Sequence, residues 1–225
     1  MGKLSFERLA ASSGILFAIL LVTGGLLPGS PSKWNASTAD IQSYLQGKNH
    51  KLVAAAVLVG IGYILFLWFL ATFAGLFRDA GQGRAATVMY GAGVATVAIA
   101  AVGDGLQFGL AKVTYTADPG TVAAIYGVTS WLYGRVFWTA AALAFAVWIA
   151  TRRSKALPAW YSLLSLAGGC LFVLGGVAIR DTGFASITGG MGLIAFLGFA
   201  VWIAISSLLL MQRTAEAPSA APAMG

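Results

Sequence analysis

Long runs of apolar residues alternate with short polar segments along almost the whole chain. A helix crosses the hydrocarbon core of a bilayer with about 20 apolar residues, so each run is interpreted as one membrane span. Stretches such as Leu65 to Phe69 show no alternation of polar and apolar positions, which argues against a transmembrane β-barrel. The pattern predicts an all-α, polytopic integral membrane protein with six transmembrane helices: Ala10 to Leu27, Leu52 to Phe77, Ala85 to Ala111, Trp131 to Thr151, Leu157 to Ile179 and Phe184 to Met211.

The composition supports membrane insertion and excludes an ordinary soluble domain. Apolar residues make up 59% of the 225 residues and charged residues only 9%, against about 25% charged in soluble domains. The single cysteine, Cys170, excludes a disulfide framework. The single histidine, His50, leaves too few ligands for a zinc, di-iron or bis-histidine haem site. With no catalytic motif in the sequence, we expect no catalytic residue, metal or cofactor.

Lysine and arginine residues set the expected orientation, because they are enriched in the cytoplasmic loops of membrane proteins. With both termini cytoplasmic, eight of them fall on the inner side: Lys3, Arg8, Arg78, Arg84, Arg152, Arg153, Lys155 and Arg213. Six fall on the outer side: Lys33, Lys48, Lys51, Lys112, Arg135 and Arg180. We therefore expect a plasma-membrane or inner-membrane protein whose net charge of +7 reflects its lipid surroundings and not nucleic-acid binding.

One domain accounts for nearly the whole chain. Residues 1–213 are expected to form the six-helix domain, and the Ala- and Pro-rich residues 214–225 a disordered cytoplasmic tail. Pairs of small residues four positions apart predict close contacts between helices of the bundle: Ala56 and Gly60, Gly105 and Gly109, and Ser186 and Gly190.

The two larger outer loops carry helix-start signals. Ser37 or Thr38 can cap a short helix that presents apolar side chains from Ile41 to Leu45 on one face. We expect this helix to lie on the outer membrane surface. In the third loop, Asp118 followed by Pro119 supplies a cap and a first-turn proline for a second short helix.

Four long polar side chains near the outer ends of spans three to five are the candidate ligand-binding residues: Asp104, Gln107, Arg135 and Arg180. Ionisable groups at membrane depth are costly and therefore point to function. One interpretation is an outward-facing pocket, roofed by the Ile41 to Leu45 and Pro119 to Tyr126 segments, with Gly103 and Gly105 leaving room around the carboxylate. The alternative is a structural ion pair between Asp104 and Arg135 that locks spans three and four together.

Tryptophan and tyrosine residues, Tyr63 among them, are abundant in the spans. Most lie near predicted helix ends, which is typical of an interfacial aromatic belt. Tyr133 and Trp138 are close enough to Arg135 in the sequence to line the same pocket.

Three segments in the first half of the chain carry a family resemblance. They are Phe6 to Ala10 (FERLA) before a Gly-rich span, Leu27 to Gly29 with Asn35 to Asp40 after it, and Leu67 to Arg78 (LWFLATFAGLFR). In these features the chain resembles a group of bacterial multi-pass membrane proteins classed as a domain of unknown function. The resemblance implies a six-helix membrane protein, and it implies no mechanism or site residues because the group has no established activity.

Three function classes remain open. A protein that binds or transports a small molecule should have a water-accessible cavity that reaches Asp104. An accessory subunit of a larger membrane complex, or a homo-oligomer, should instead have a continuous apolar or Gly/Ala face for its partner. An enzyme needs at least two converging acid, base or metal-ligand groups, which this sequence barely supplies.

Overall fold

The regular elements are all helices in a computed structural model of the chain, which describes residues 3–178, 183–186 and 189–216. In chain order the helices of the described residues are α1 Lys3–Leu26, α2 Thr38–Gly47, α3 Asn49–Asp79, α4 Gly83–Val113, α5 Pro119–Ser154, α6 Ala159–Gly176 and α7 Gly190–Glu216. All except α2 are long and apolar enough to cross a membrane. The predicted all-α fold with six helices long and apolar enough to span a membrane is thus confirmed for the described residues.

The six long helices form a closed ring in chain order. Each packs against the long helix that follows it in the chain, and α7 packs against α1, whereas contacts across the ring are sparse. At the closure, the hydroxyl of Ser207 donates to the backbone carbonyl of Ala11. Trp202 Nε1 donates to Ser165 Oγ at 3.2 Å and ties α7 to α6. A ring of this kind encloses a central space that side chains must fill.

The outer face of the ring is apolar. Large aliphatic side chains point away from the bundle on several helices, with Ile64 61%, Leu163 66% and Val201 58% exposed. Such a surface is compatible with lipid tails and incompatible with water. The outer face therefore accounts for the apolar excess in the composition.

Aromatic side chains fill one half of the space inside the helix ring. This half lies on the side of the short connections 80–82 and 155–158, here called the short-loop side. Phe66, Phe69, Phe73 and Phe77 lie along one face of α3 and are completely buried. Their successive ring centroids are 6.2, 5.3 and 5.2 Å apart. The spacing of three or four residues keeps all four rings on one helix face. This phenylalanine column closes the short-loop half of the ring.

Helix α2 packs onto the opposite, long-loop side, which carries residues 27–37 and 114–118. The predicted cap is confirmed, since Ser37 Oγ accepts from the Asp40 backbone N–H at 3.1 Å. Instead of resting on the membrane surface alone, α2 buries Ile41 and Leu45 against α4 and α5. Its two glutamine side chains also donate to the carbonyl of Thr114, the residue that caps the end of α4. Gln42 Nε2, for example, donates to the Thr114 carbonyl at 3.0 Å.

Three predicted helix starts move by six residues or more. Helix α1 begins at Lys3, seven residues before the predicted start at Ala10. The short helix predicted after Asp118 is continuous with the fourth span, so α5 begins at Pro119 and not at Trp131. Asp118 does cap it, accepting from the Thr121 backbone N–H at 2.8 Å. The last span begins later than predicted, at Gly190, because Phe184 lies in a turn that follows Gly183.

Three predicted ends also move by three residues or more. Helix α5 continues to Ser154, three residues beyond the predicted end at Thr151. Helix α6 ends at Gly176, three residues before the predicted end at Ile179. Helix α7 continues through Glu216, so the first residues of the predicted tail are helical. Residues 217–225 of that tail lie outside the described residues.

Close helix contacts occur at other glycines than those predicted. A Cβ added at Gly60, Gly105 or Gly109 would meet no atom within 4 Å, so the predicted contacts at these positions are wrong within this chain. A Cβ at Gly14 would lie 2.7 Å from the Phe69 ring. The side chain on the neighbouring helix decides where glycine is needed, and the four-residue spacing does not reveal that neighbour.

Replacing Gly14 with alanine is expected to destabilise the junction of α1, α3 and α7. The new methyl group would lie 2.7 Å from Phe69 Cδ2 and 2.9 Å from Ser207 Cβ, and overpacking of this kind costs about 1–3 kcal/mol. Gly60→Ala is the matched control, because its methyl group meets open space. Thermal unfolding in one detergent should show a lower melting temperature for Gly14→Ala only. Equal melting temperatures for the two variants would contradict the packing described.

Candidate ligand-binding cavity

A cavity of about 720 Å³ occupies the half of the ring that the phenylalanine column leaves unfilled. Its walls come from α1, α3, α4, α5 and α7. Its floor is formed by Phe17, Phe66 and Phe199, which pack on one another. The ring centroid of Phe66 lies 4.5 Å from that of Phe17 and 6.0 Å from that of Phe199. Small-molecule sites in proteins commonly measure about 300–1,000 Å³. The space is therefore large enough for an organic ligand.

A segment of the first loop, residues 28–34, lies over the mouth of the cavity on the long-loop side. Pro28 to Pro31 line the cavity. The segment is fixed to α5, because the Tyr126 hydroxyl donates to the Ser32 carbonyl at 2.9 Å. The rings of Trp34 and Trp131 also meet edge to face at 5.6 Å. Both segments expected to roof the pocket contribute a lining residue, Tyr44 from α2 and Tyr126 from α5.

Most of the lining is apolar, and its polar side chains belong mainly to α4 and α5. The hydroxyls of Thr129 and Ser130 donate to carbonyls of their own helix at 2.8 and 3.0 Å, so their protons are already used. The remaining polar lining is dominated by two residues of α4, Asp104 and Gln107, and the tyrosines that contact them. The expected polar pocket is thus an apolar cavity with one polar cluster.

That cluster, here called the Asp104 cluster, consists of Asp104, Gln107, Tyr63 and Tyr133. The carboxylate of Asp104 accepts from the Tyr63 hydroxyl through Oδ2 and from the Tyr133 hydroxyl through Oδ1, the latter at 2.6 Å. Tyr133 Oη also lies 2.8 Å from Gln107 Oε1. Gln107 lies one turn beyond Asp104 on the same face of α4. The cluster thereby joins α3, α4 and α5.

Proton accounting links the charge of Asp104 to the orientation of Gln107. The Tyr133 hydroxyl has one proton but touches two oxygen acceptors. If Asp104 is anionic, Tyr133 donates to it, and the Gln107 amide must turn so that Nε2 donates to Tyr133. If Asp104 is protonated, it donates to Tyr133, which then donates to Gln107 Oε1. The end of the Gln107 amide that faces away from Tyr133 therefore depends on the protonation state of Asp104. It is Oε1 when Asp104 is anionic and Nε2 when Asp104 is protonated.

The structure brings together two of the four predicted site residues. Asp104 and Gln107 line the cavity, whereas Arg135 is exposed and lies over the Trp131 ring, 5.9 Å from its centroid. The predicted Asp104–Arg135 pair does not form. Tyr133 points to the centre of the helix ring, and Arg135, two residues later on the same helix, points about 200° away from it. Arg180 lies outside the described residues.

Tyr63 is the site residue that sequence analysis missed. The sequence places it in the aromatic belt, yet it lies well inside α3, about 21 Å along the axis from Asn49. This depth was the available signal, since belt residues lie at helix ends. Gly103 also has a different role from the predicted one. A Cβ there would lie 3.1 Å from Tyr133 Cε1, so Gly103 makes room for the Tyr133 ring.

Removing the Tyr133 hydroxyl is expected to loosen the α4–α5 contact. Tyr133→Phe removes one of the two tyrosine hydroxyls that contact Asp104 and also removes the hydroxyl that contacts Gln107, at a cost of about 1–3 kcal/mol. The control is Tyr115→Phe, since Tyr115 is exposed and its hydroxyl lies 3.3 Å from its acceptor. Thermal unfolding in one detergent should show a lower melting temperature for Tyr133→Phe only. An unchanged value would show that the contacts of the Tyr133 hydroxyl contribute nothing to stability.

Comparison with known proteins gave no relative to place beside this cavity. No family model matches the chain, and neither a curated protein nor a solved structure matches it. The geometry of the cavity and the chemistry of its lining are therefore the features that bear on function.

Proposed function

We propose that this chain is a multi-pass membrane protein that binds a small amphipathic molecule between its helices. The observation that carries the proposal is the cavity of about 720 Å³ with apolar walls and one polar cluster. Ligand sites typically combine an apolar lining with a few convergent polar groups. The apolar body of the ligand would contact side chains such as Leu21, Val59 and Val97, and its polar end would reach the Asp104 cluster.

The small residues of the lining support a binding role. Ala55 of α3, Ala100 of α4 and Ala140 of α5 all face the cavity. Protein interiors are close-packed and contain few voids larger than a water molecule. In the short-loop half of the same ring, phenylalanines fill the equivalent space. A ligand in the long-loop half would supply the packing contacts that larger side chains make in the short-loop half.

The floor favours binding over passage through the bundle. Phe17, Phe66 and Phe199 are buried beneath the cavity, and the rest of the phenylalanine column lies behind them. Transport to the short-loop side would require these rings to separate. A bound ligand that stays on the long-loop side requires no such movement.

For orientation, we place both chain ends in the cytoplasm and the cavity mouth on the outer face of the plasma or inner membrane. Six spanning helices return the chain to its starting side. Basic residues gather at the short-loop ends of the helices: Arg78, Arg84, Arg152, Arg153, Lys155 and Arg213. Such residues are retained on the cytoplasmic side of membranes.

Filling the cavity is expected to remove the ligand. Ala100→Trp places an indole one turn from Asp104 on the cavity face of α4. Ala98→Trp is the matched control, two residues away on the exposed face of the same helix. Native mass spectrometry of protein purified in mild detergent, followed by extraction of small molecules, should find one compound in the wild type and the control but not in Ala100→Trp.

Two results would contradict cavity binding. One is equal occupancy of the compound in Ala100→Trp and the wild type. The other is a co-purifying membrane protein with no small molecule, which would favour the accessory-subunit function instead.

Cysteine labelling tests the orientation. In a Cys170→Ser background, Thr116→Cys and Gly83→Cys place thiols at exposed positions on the long-loop and short-loop sides. A membrane-impermeant maleimide should label Thr116→Cys in intact cells and Gly83→Cys only after permeabilisation. The reverse pattern would overturn the orientation and leave the cavity itself unaffected.

A further inference from the structure

We infer that the cavity selects molecules whose polar end is an organic cation, such as a protonated amine, and that Asp104 is the anion that recognises it. This inference rests on the proposed binding function and specifies its ligand class.

The charge of the lining points to a cation. Among the described residues that line the cavity, Asp104 is the only one with a charged side chain, and there is no lysine, arginine or histidine. The direct partners of its carboxylate are the hydroxyls of Tyr63 and Tyr133, which are neutral. A carboxylate at membrane depth is costly unless a positive charge or several hydrogen bonds compensate it. A cationic ligand would supply that charge.

The hydrogen bonds of the carboxylate leave room for a donor from the ligand. An ionised carboxylate has about four acceptor positions, and each oxygen of Asp104 receives one tyrosine hydroxyl. Since the two hydroxyls come from α3 and α5, they hold the carboxylate in place before a ligand arrives. Pre-organised groups lose less entropy on binding.

Gln107 would provide a second acceptor. With Asp104 anionic, the Tyr133 proton is donated to the carboxylate, so Gln107 Nε2 faces Tyr133. Gln107 Oε1 is then free to accept another hydrogen bond. An ammonium group has three donors and no acceptor, so it matches a site with two acceptors. A ligand hydroxyl has only one proton to donate and would use one of these acceptors at a time.

The aromatic rings of the cavity suit the same class of ligand. Tyr63 and Tyr133 of the Asp104 cluster line the cavity, and Phe66 forms part of its floor. Aromatic faces attract organic cations more strongly when water is excluded. The remaining apolar volume accommodates a hydrocarbon body, so the expected ligand is a cationic amphiphile.

Three probes with one skeleton test the charge preference: 4-phenylbutylamine, 4-phenylbutanol and 4-phenylbutanoate. Binding to the full chain in nanodiscs of zwitterionic lipid is measured by equilibrium dialysis at pH 7. The amine is expected to bind the wild type about 10-fold more tightly than the alcohol, with the carboxylate weakest. Ala100→Trp should weaken the binding of all three.

Asp104→Asn tests the residue. The amine should lose about 10- to 100-fold in affinity, because its charged acceptor is gone, while the alcohol binds as before. Asp79→Asn is the matched control, an identical change at an exposed position on the short-loop side. It should bind all probes as the wild type does.

The failure of this inference and the failure of the proposed function give different results. If the alcohol binds as tightly as the amine and Asp104→Asn changes neither, the cation preference is overturned while cavity binding stands. If no probe binds the wild type, both are overturned. The comparison of probes on the wild type remains decisive even if Asp104→Asn does not fold.

Discussion

The structure depends on how the centre of a six-helix ring is filled. In lipid there is no hydrophobic drive for helices to associate, so side-chain packing and hydrogen bonds must hold them together. On the short-loop side the phenylalanines of α3 supply that packing, and Gly14 and Gly93 let the neighbouring helices approach these and adjacent side chains. On the long-loop side, glycines and alanines face the centre and leave it open. The cavity therefore exists because the large aromatic side chains of α3 lie in the short-loop half of the helix ring.

Hydrogen bonds replace packing where the ring is open. Around the cavity, Asp104 and the tyrosines of α3 and α5 tie three helices together, and the amides of α2 hold the end of α4. In a low-dielectric setting such bonds are strong, and unpaired polar groups are costly. The same groups that stabilise the open half are those a ligand would meet. Under the proposed function, this one cluster would therefore carry both stability and recognition.

Repeated sequence shows how little local pattern says about environment. The hexapeptide FAVWIA occurs at Phe145 to Ala150 in α5 and again at Phe199 to Ala204 in α7. In the first copy the ring of Phe145 faces Gly169 of α6. In the second, Phe199 forms part of the cavity floor, and Trp202 donates to Ser165. Identical residues have different partners because the neighbouring helices differ.

The sequence by itself determined that six long apolar helices form, that helices start near Ser37 and Asp118, and that one of the long helices contains Asp104. These are local properties, because hydropathy over about 20 residues and a cap depend only on nearby positions. Only the tertiary structure decided that Asp104 meets tyrosines 41 and 29 positions away and not Arg135. That choice depends on the rotation of α3, α4 and α5 about their axes. Packing between helices sets this rotation, for example where Gly103 admits the Tyr133 ring.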